Sequence, residues 1–136
     1  MLFWAFFYSW ICLTNALDGL KALNWLPPDW HYISGNFALV VEAVSLHHFP
    51  WILAPILFSG DILWQGITAI LFWCALKDSG RSMAITAFSF GIALWAAFIM
   101  ADEIFIAYVK FSEGTYFHLF TANLLSLIAI VFLPRM

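Results

Sequence analysis

The sequence predicts an all-α integral membrane protein with four transmembrane helices plus a short interfacial or re-entrant helix. Of its 136 residues, 65% are hydrophobic and only 10% are charged, whereas soluble domains carry about 25% charged residues. Several apolar stretches also reach the roughly 20 residues that a helix needs to cross a bilayer. Eight Trp and four Tyr residues suit anchoring at the membrane interfaces. We therefore expect lipid to be the main solvent of a single polytopic domain over residues 1–136.

The first predicted span covers residues 2–24, and Pro27 and Pro28 follow it. Proline ends a helix because it lacks an N–H donor and its ring collides with the preceding turn. Small residues recur along this span at spacings of three and four, which places them on one helix face. They are Ala5, Ser9, Cys12, Ala16 and Gly19. Such a stripe predicts close packing against another helix.

The short helix is predicted within residues 29–49, where Ser34, Gly35 and Asn36 form a helix-capping sequence. The apolar part after the cap has about 13 residues, fewer than the roughly 20 that cross the hydrocarbon. We therefore place this segment at the membrane interface, at the outer end of the bundle. The second span follows at residues 50–76, and a polar turn over residues 77–81 separates it from the third.

The third and fourth spans are predicted at residues 82–109 and 115–133. A second stripe of small residues, at a spacing of four, predicts the interior face of the third span. Its members are Ser89, Ala93, Ala97 and Ala101. Basic residues are more frequent on the side of the two termini than on the other side, which favours both termini in the cytoplasm. We expect an integral protein of a bacterial inner (plasma) membrane.

An alternative interpretation with five spans treats Ser59, Gly60 and Asp61 as a turn. It divides the second span into helices over residues 37–58 and 62–76 and inverts the carboxyl terminus. The second of these helices would be shorter than the roughly 20 residues that cross a bilayer. For that reason we favour four spans.

Asp61 is the one charged residue of the second span. A charged side chain at the centre of a span costs about 3 kcal/mol on insertion scales, so intramembrane acids usually face a bundle interior or a watery cavity. Gln65 and Thr68 follow at spacings of four and seven and therefore share its helix face. We expect this face to point inward. Asp61 then serves either as a hydrogen-bonded packing contact or as a proton-exchanging or ligand-binding group.

Other polar candidates are Asp102 on the third span and Asn123 on the fourth. Asp102 flanks the second small-residue stripe, whereas its neighbour on the helix points elsewhere, so Asp102 is the better interior candidate. A group of candidate metal or proton-site residues gathers at the outer end of the predicted bundle, apart from Asp61. This group consists of Glu42, His47, His48, Glu103 and His118. Imidazole and carboxylate suit several transition metals, but the spacing matches no metal motif and identifies no cofactor.

Charge and cysteine content exclude two classes of protein. The net charge is −3 and the five Lys and Arg residues are scattered, which argues against a nucleic-acid partner because such partners require clustered positive charge. Cys12 and Cys74 form no CxxC pair, which argues against a thiol redox enzyme. The expected partners are the lipid bilayer and other membrane subunits or further copies of this chain.

Three functions remain open at this point. We favour a non-catalytic accessory or structural subunit of a larger membrane complex, and not an enzyme, because no catalytic motif is present. The first alternative is an oligomeric transporter or channel subunit for protons, cations or small molecules that uses Asp61 and Asp102. The second is a membrane-embedded redox or lipid/quinone enzyme subunit with the outer-end histidines and carboxylates as its site.

Overall fold

The computed structural model describes residues 1–77, 81–105 and 113–132. Within these ranges the regular structure is wholly helical, which confirms the predicted fold class. The helices are α1 (Leu2–Ala22), α2 (Asn36–Leu46), α3 (Leu53–Lys77), α4 (Arg81–Ile104) and α5 (Glu113–Phe132). Residues 78–80 of the predicted turn, residues 106–109 of the third predicted span and residue 133 lie outside the described ranges.

Three of the described helices are long and apolar enough to cross a membrane. They are α3, α4 and the part of α5 over Thr115–Phe132. Helix α1 has 21 residues, a length of about 32 Å at 1.5 Å per residue, but it is not among these three. Polar residues such as Asn15 and Asp18 interrupt its apolar sequence. That α1 crosses the membrane therefore stays a prediction.

Helix α3 continues without interruption through Ser59, Gly60 and Asp61. The five-span interpretation requires a turn at these residues, and the helix there contradicts it. The short helix α2 has 11 residues, which agrees with the prediction of a segment too short to cross a bilayer.

The four long helices form an up-down-up-down bundle. Helix α1 packs against α3, α3 against α4, and α4 against α5. Ser9 near the start of α1 accepts a 3.0 Å hydrogen bond from the indole of Trp73 near the end of α3, so these helices run antiparallel. Helices α1 and α5 meet through long side chains, as where Trp4 Nε1 donates to Ser126 Oγ over 3.2 Å. The start of α1 and the carboxyl-terminal half of α5 therefore lie at the same end of the bundle.

Aromatic side chains fill the half of the bundle that contains the start of α1. The rings of Tyr8 and Phe72 stack with centroids 5.4 Å apart, and Phe88 meets Phe72 edge-on at 4.8 Å. At most 1% of each of these three side chains is exposed. These separations are those of favourable aromatic pairs, so side chains, and not a channel, occupy this part of the interior.

The small-residue stripe on α1 packs against α3, as predicted. Ala5 is fully buried, and Cys12 Sγ donates to the carbonyl of Ile62 over 3.5 Å. A Cβ atom on Gly66 of α3 would lie 3.4 Å from Cys12 Sγ, so the two helices approach closely here. Small residues allow this separation because their side chains add little width.

The prediction that the second stripe forms the interior face of α4 is wrong for the first half of the stripe. Ser89 and Ala93 are exposed, whereas Ala97 and Ala101 are half-buried. The residues that α4 buries instead are Ala84, Ala87, Phe88, Gly91, Leu94 and Trp95. Phe88 and Trp95 offer many more packing contacts than serine or alanine, so the helix turns its aromatic face inward.

Helix α1 ends in a Schellman motif rather than at the prolines themselves. Asn24 adopts the left-handed conformation with φ 58°. The N–H groups of Asn24 and Trp25 donate to the carbonyls of Lys21 and Leu20 over 2.9 and 3.0 Å, which satisfies the last carbonyls of the helix. Helix α2 ends in the same way with His48 at φ 55°. In both cases proline follows shortly after and prevents the helix from resuming.

Candidate functional site

The carboxylate of Asp61 lies on α3, on the inward face that the sequence predicts. Gln65 Nε2, one turn further along the same helix, donates to both carboxylate oxygens over 2.8 Å. Asn15 Nδ2 of α1 donates to Oδ2 over 3.3 Å. Gln65 is only 2% exposed, whereas Asp61 is half-buried. The carboxylate is therefore held between two helices by amide groups and keeps some access to its surroundings.

Asn15 of α1 also links this carboxylate to α2. Its Nδ2 also donates to Gln65 Oε1 over 2.9 Å, and its Oδ1 accepts a 2.9 Å hydrogen bond from Asn36 Nδ2 at the start of α2. Asn15 itself is 2% exposed. We call Asn15, Asn36, Asp61 and Gln65 the carboxyl–amide cluster. It connects α1, α2 and α3 through side-chain hydrogen bonds, which are the usual polar contacts between helices in lipid.

The hydrogen-bond partners of Asp61 within the described residues are neutral amides. A carboxylate in an apolar bundle is costly unless a positive charge or a bound proton compensates it. The amides offset only part of that cost because they carry no net charge. The geometry therefore leaves the carboxylate able to take up a proton or a cation.

Asp102 belongs to the same end of the bundle. Its side chain on α4 is half-buried, whereas that of Glu103 is exposed, as the predicted helix faces require.

Thr68 and Asn123 are buried but lie outside the carboxyl–amide cluster. Thr68 is fully buried, and its hydroxyl donates to the carbonyl of Trp64 in its own helix over 2.8 Å. Asn123 accepts a 3.1 Å hydrogen bond from the hydroxyl of Tyr8, which in turn accepts a 2.7 Å bond from Trp95 Nε1. Asn123 therefore joins α5 to α1 and α4. Its place in the structure is that of a packing contact.

The predicted outer-end group is not assembled into a metal site in the described part of the chain. His48, Glu103 and His118 are exposed, and Glu42 is half-buried on α2. His47 Nε2 is 2.7 Å from the carbonyl of Phe105, so this ring links the end of α2 to the end of α4. Among the residues that the structure describes, no group of three or more His, Cys, Asp and Glu side chains is placed to hold a metal ion.

Sequence reasoning missed Asn15 and Asp18, which are both buried on α1. Asp18, 6% exposed, accepts hydrogen bonds from Ser34 Oγ over 3.0 Å and from the backbone N–H of Phe37 over 2.9 Å. It therefore caps the first turn of α2 from a different helix, where the helix dipole also favours a negative charge. The available signal was two polar residues at a spacing of three within an apolar segment.

The carboxyl groups of Asp18 and Asp61 thus have different roles at this end of the bundle. Asp18 completes the backbone hydrogen bonding of α2, a structural task. Among the described residues, Asp61 accepts no backbone hydrogen bond and has amide partners, so its carboxylate is the group best placed for chemistry. No protein-family model, curated protein or solved structure matches this chain.

Proposed function

We propose that this protein binds a proton or a monovalent cation at Asp61 and acts as a subunit of an oligomeric transporter or channel. The observation that carries the proposal is a carboxylate on a membrane-capable helix whose partners within the described residues are neutral amides. Ionisable groups inside membrane helices commonly mark the path of a proton or ion. Asp61 is the binding group, and Gln65 and Asn15 orient it.

The amide side chains also suit a bound cation. Rotation of a terminal amide group by half a turn exchanges the positions of its N–H donor and its oxygen acceptor. After this rotation, Gln65 and Asn15 present oxygen atoms to the site where they now present N–H groups. Carbonyl and carboxylate oxygens together replace the hydration shell of a cation in selective sites. The same cluster therefore accommodates either a proton on Asp61 or a small cation beside it.

The path does not run through the interior of a single chain. Tyr8, Phe72 and Phe88 fill the half of the bundle beyond the cluster. A small four-helix bundle encloses little free space. We propose that copies of the chain, or a second subunit, complete the path at the surface beside Asp61. We further propose a bacterial inner membrane with both termini in the cytoplasm, on the distribution of basic residues.

The experiment compares three forms of the full-length protein in liposomes. These are the unaltered protein, Asp61→Asn, and Asp29→Asn, which makes the same chemical change at an exposed loop residue. Proton flux is followed with an internal pH-sensitive dye, and cation flux with an ion-selective dye, under an imposed gradient. We expect flux in the unaltered protein and in Asp29→Asn, and none in Asp61→Asn. Equal flux in the two variants, or no flux in the unaltered protein, contradicts the proposal.

A second candidate function is that of an accessory subunit in a larger membrane complex. The low burial of α5 favours this function. Among the described side chains of α5, only Asn123 is buried by the bundle. A helix with so little burial packs against lipid or against another protein. Purification in a mild detergent tests this function, because a bound subunit of defined stoichiometry supports it and a single species under the same conditions opposes it.

A further inference from the structure

A cavity of about 710 Å³ lies between α1, α2 and the first part of α3. Its size falls within the roughly 300–1,000 Å³ of known small-molecule sites. The deeper lining is apolar and is contributed by all three helices. It includes Ala16, Gly19, Val44, Ala54, Phe58 and Ile62.

The local sequence explains why this space is open. Ala16 and Gly19 of α1 line this space with side chains too small to fill it. Contacts at both ends of α2 prevent this helix from moving into the space. Asp18 bonds to its first turn, and His47 at its end contacts the carbonyl of Phe105. Protein interiors contain few voids larger than a water molecule, since the lining of an empty void loses its packing contacts. A cavity of this size with an apolar lining is therefore expected to contain an apolar molecule.

The rim of the cavity is continuous with the lipid-facing surface of α3. Trp51 at the rim is 78% exposed. Ile52, directly before α3, is 48% exposed, and Ile56 on α3 is 59% exposed. Helix α3 is apolar enough to cross the membrane. Tryptophan is enriched at the level of the lipid headgroups. The molecule with direct access to this rim is a lipid of the surrounding leaflet.

We propose that the cavity binds one acyl chain of a bilayer phospholipid. A quinone would require hydrogen-bond donors for its ring, and the side chains of the described lining offer only three: the hydroxyls of Ser45 and Ser59 and the indole N–H of Trp51 at the rim. The hydroxyl of Ser45 already donates to the carbonyl of Glu42 over 2.8 Å. An acyl chain needs no polar partner, and its headgroup stays outside the rim at the level of Trp51. This site is separate from the proposed ion site, because Asp61 does not line the cavity.

The test uses full-length protein in detergent and a phospholipid that carries a photoactivatable diazirine in one acyl chain. Labelled peptides are mapped by mass spectrometry. Ala16→Phe and Val41→Trp each place a larger side chain in the lining, and Val41 is 43% exposed, so the second variant leaves the core unchanged. Ala129→Phe, on the exposed surface of α5, is the matched control.

We expect saturable labelling of the cavity lining in the unaltered protein and in Ala129→Phe, and loss of most of this labelling in both filled variants. Excess unlabelled phospholipid should compete, whereas an isoprenoid quinone should not. Labelling that does not saturate, or that persists in a folded Val41→Trp variant, overturns the proposal. Competition by the quinone alone overturns it in favour of a quinone site. Ion flux is measured separately, so failure of one proposal leaves the other unaffected.

Discussion

Replacement of Gly91 by alanine tests the packing of the bundle beside a buried hydrogen-bonded pair. Gly91 lies on α4 beside the bonded pair of Tyr8 and Asn123. A Cβ atom on Gly91 would collide with the hydroxyl of Tyr8 and lie 2.7 Å from Asn123 Oδ1. Both partners are fully buried. Neither can move aside without disturbing the hydrogen bonds that join α1, α4 and α5.

The expected effect is a net loss of stability of about 1–3 kcal/mol. Overpacking of a well-packed interior costs about 1–3 kcal/mol. The hydrogen bonds that Tyr8 makes to Trp95 and Asn123 contribute about 0.6 kcal/mol each in a membrane setting. Against these losses, alanine is favoured over glycine in a helix by about 1 kcal/mol. Gly60→Ala is the matched control, because a Cβ atom there meets nothing within 4 Å. That variant should be more stable than the unaltered protein by up to about 1 kcal/mol.

Unfolding in mixed micelles with increasing denaturing detergent, followed by circular dichroism, measures both variants. Tyr8→Phe removes the hydroxyl that the new methyl group meets, so Gly91→Ala should cost less in that background than in the unaltered protein. If Gly91→Ala and Gly60→Ala raise stability equally, the contact between Gly91 and Tyr8 does not exist in the folded protein. The reasoning would then fail.

Further predictions concern the two ends of α2. Asp18→Ala removes the acceptor for the N–H of Phe37, so it should lower the free energy of unfolding by about 1–2 kcal/mol. It should also accelerate amide hydrogen exchange over residues 36–46. Unchanged exchange there would contradict the role of Asp18 as the cap of α2. His47→Ala removes the contact with the Phe105 carbonyl and should cost about 1 kcal/mol in a thermal unfolding assay. His48→Gly should be neutral or stabilising, because φ 55° suits glycine better than histidine; a loss as large as that of His47→Ala would refute this reasoning.

The part of the candidate site that lies on one helix could be predicted from spacing. Asp61 and Gln65 are four residues apart, so helical geometry alone brings them together, and the structure places them in hydrogen-bond contact. The contributions of Asn15 and Asn36 come from 46 and 25 residues away along the chain (positions 15 and 36 against 61). No periodicity within a single segment encodes such contacts, because they depend on how α1 and α2 dock against α3.

The two small-residue stripes show where pattern reasoning holds and where it fails. The stripe on α1 packs against α3, since Ser9 and Cys12 both form hydrogen bonds with that helix. The stripe on α4 leaves Ser89 and Ala93 exposed. Both stripes satisfy the same spacing rule. The difference is that α4 carries Phe88 and Trp95 on another face, and the packing of these rings outweighs a close approach of backbones.

The sequence by itself determined the solvent and the secondary structure of this protein. Its excess of apolar residues predicts membrane helices, and prolines follow the ends of α1 and α2. Only the tertiary structure decided which faces meet, that Asp18 caps α2, and that α1, α2 and α3 enclose a cavity. In lipid, apolar surface gains little by burial against other apolar surface. The choice between faces therefore depends on shape and on a few hydrogen bonds, and these arise from residues that are distant in sequence.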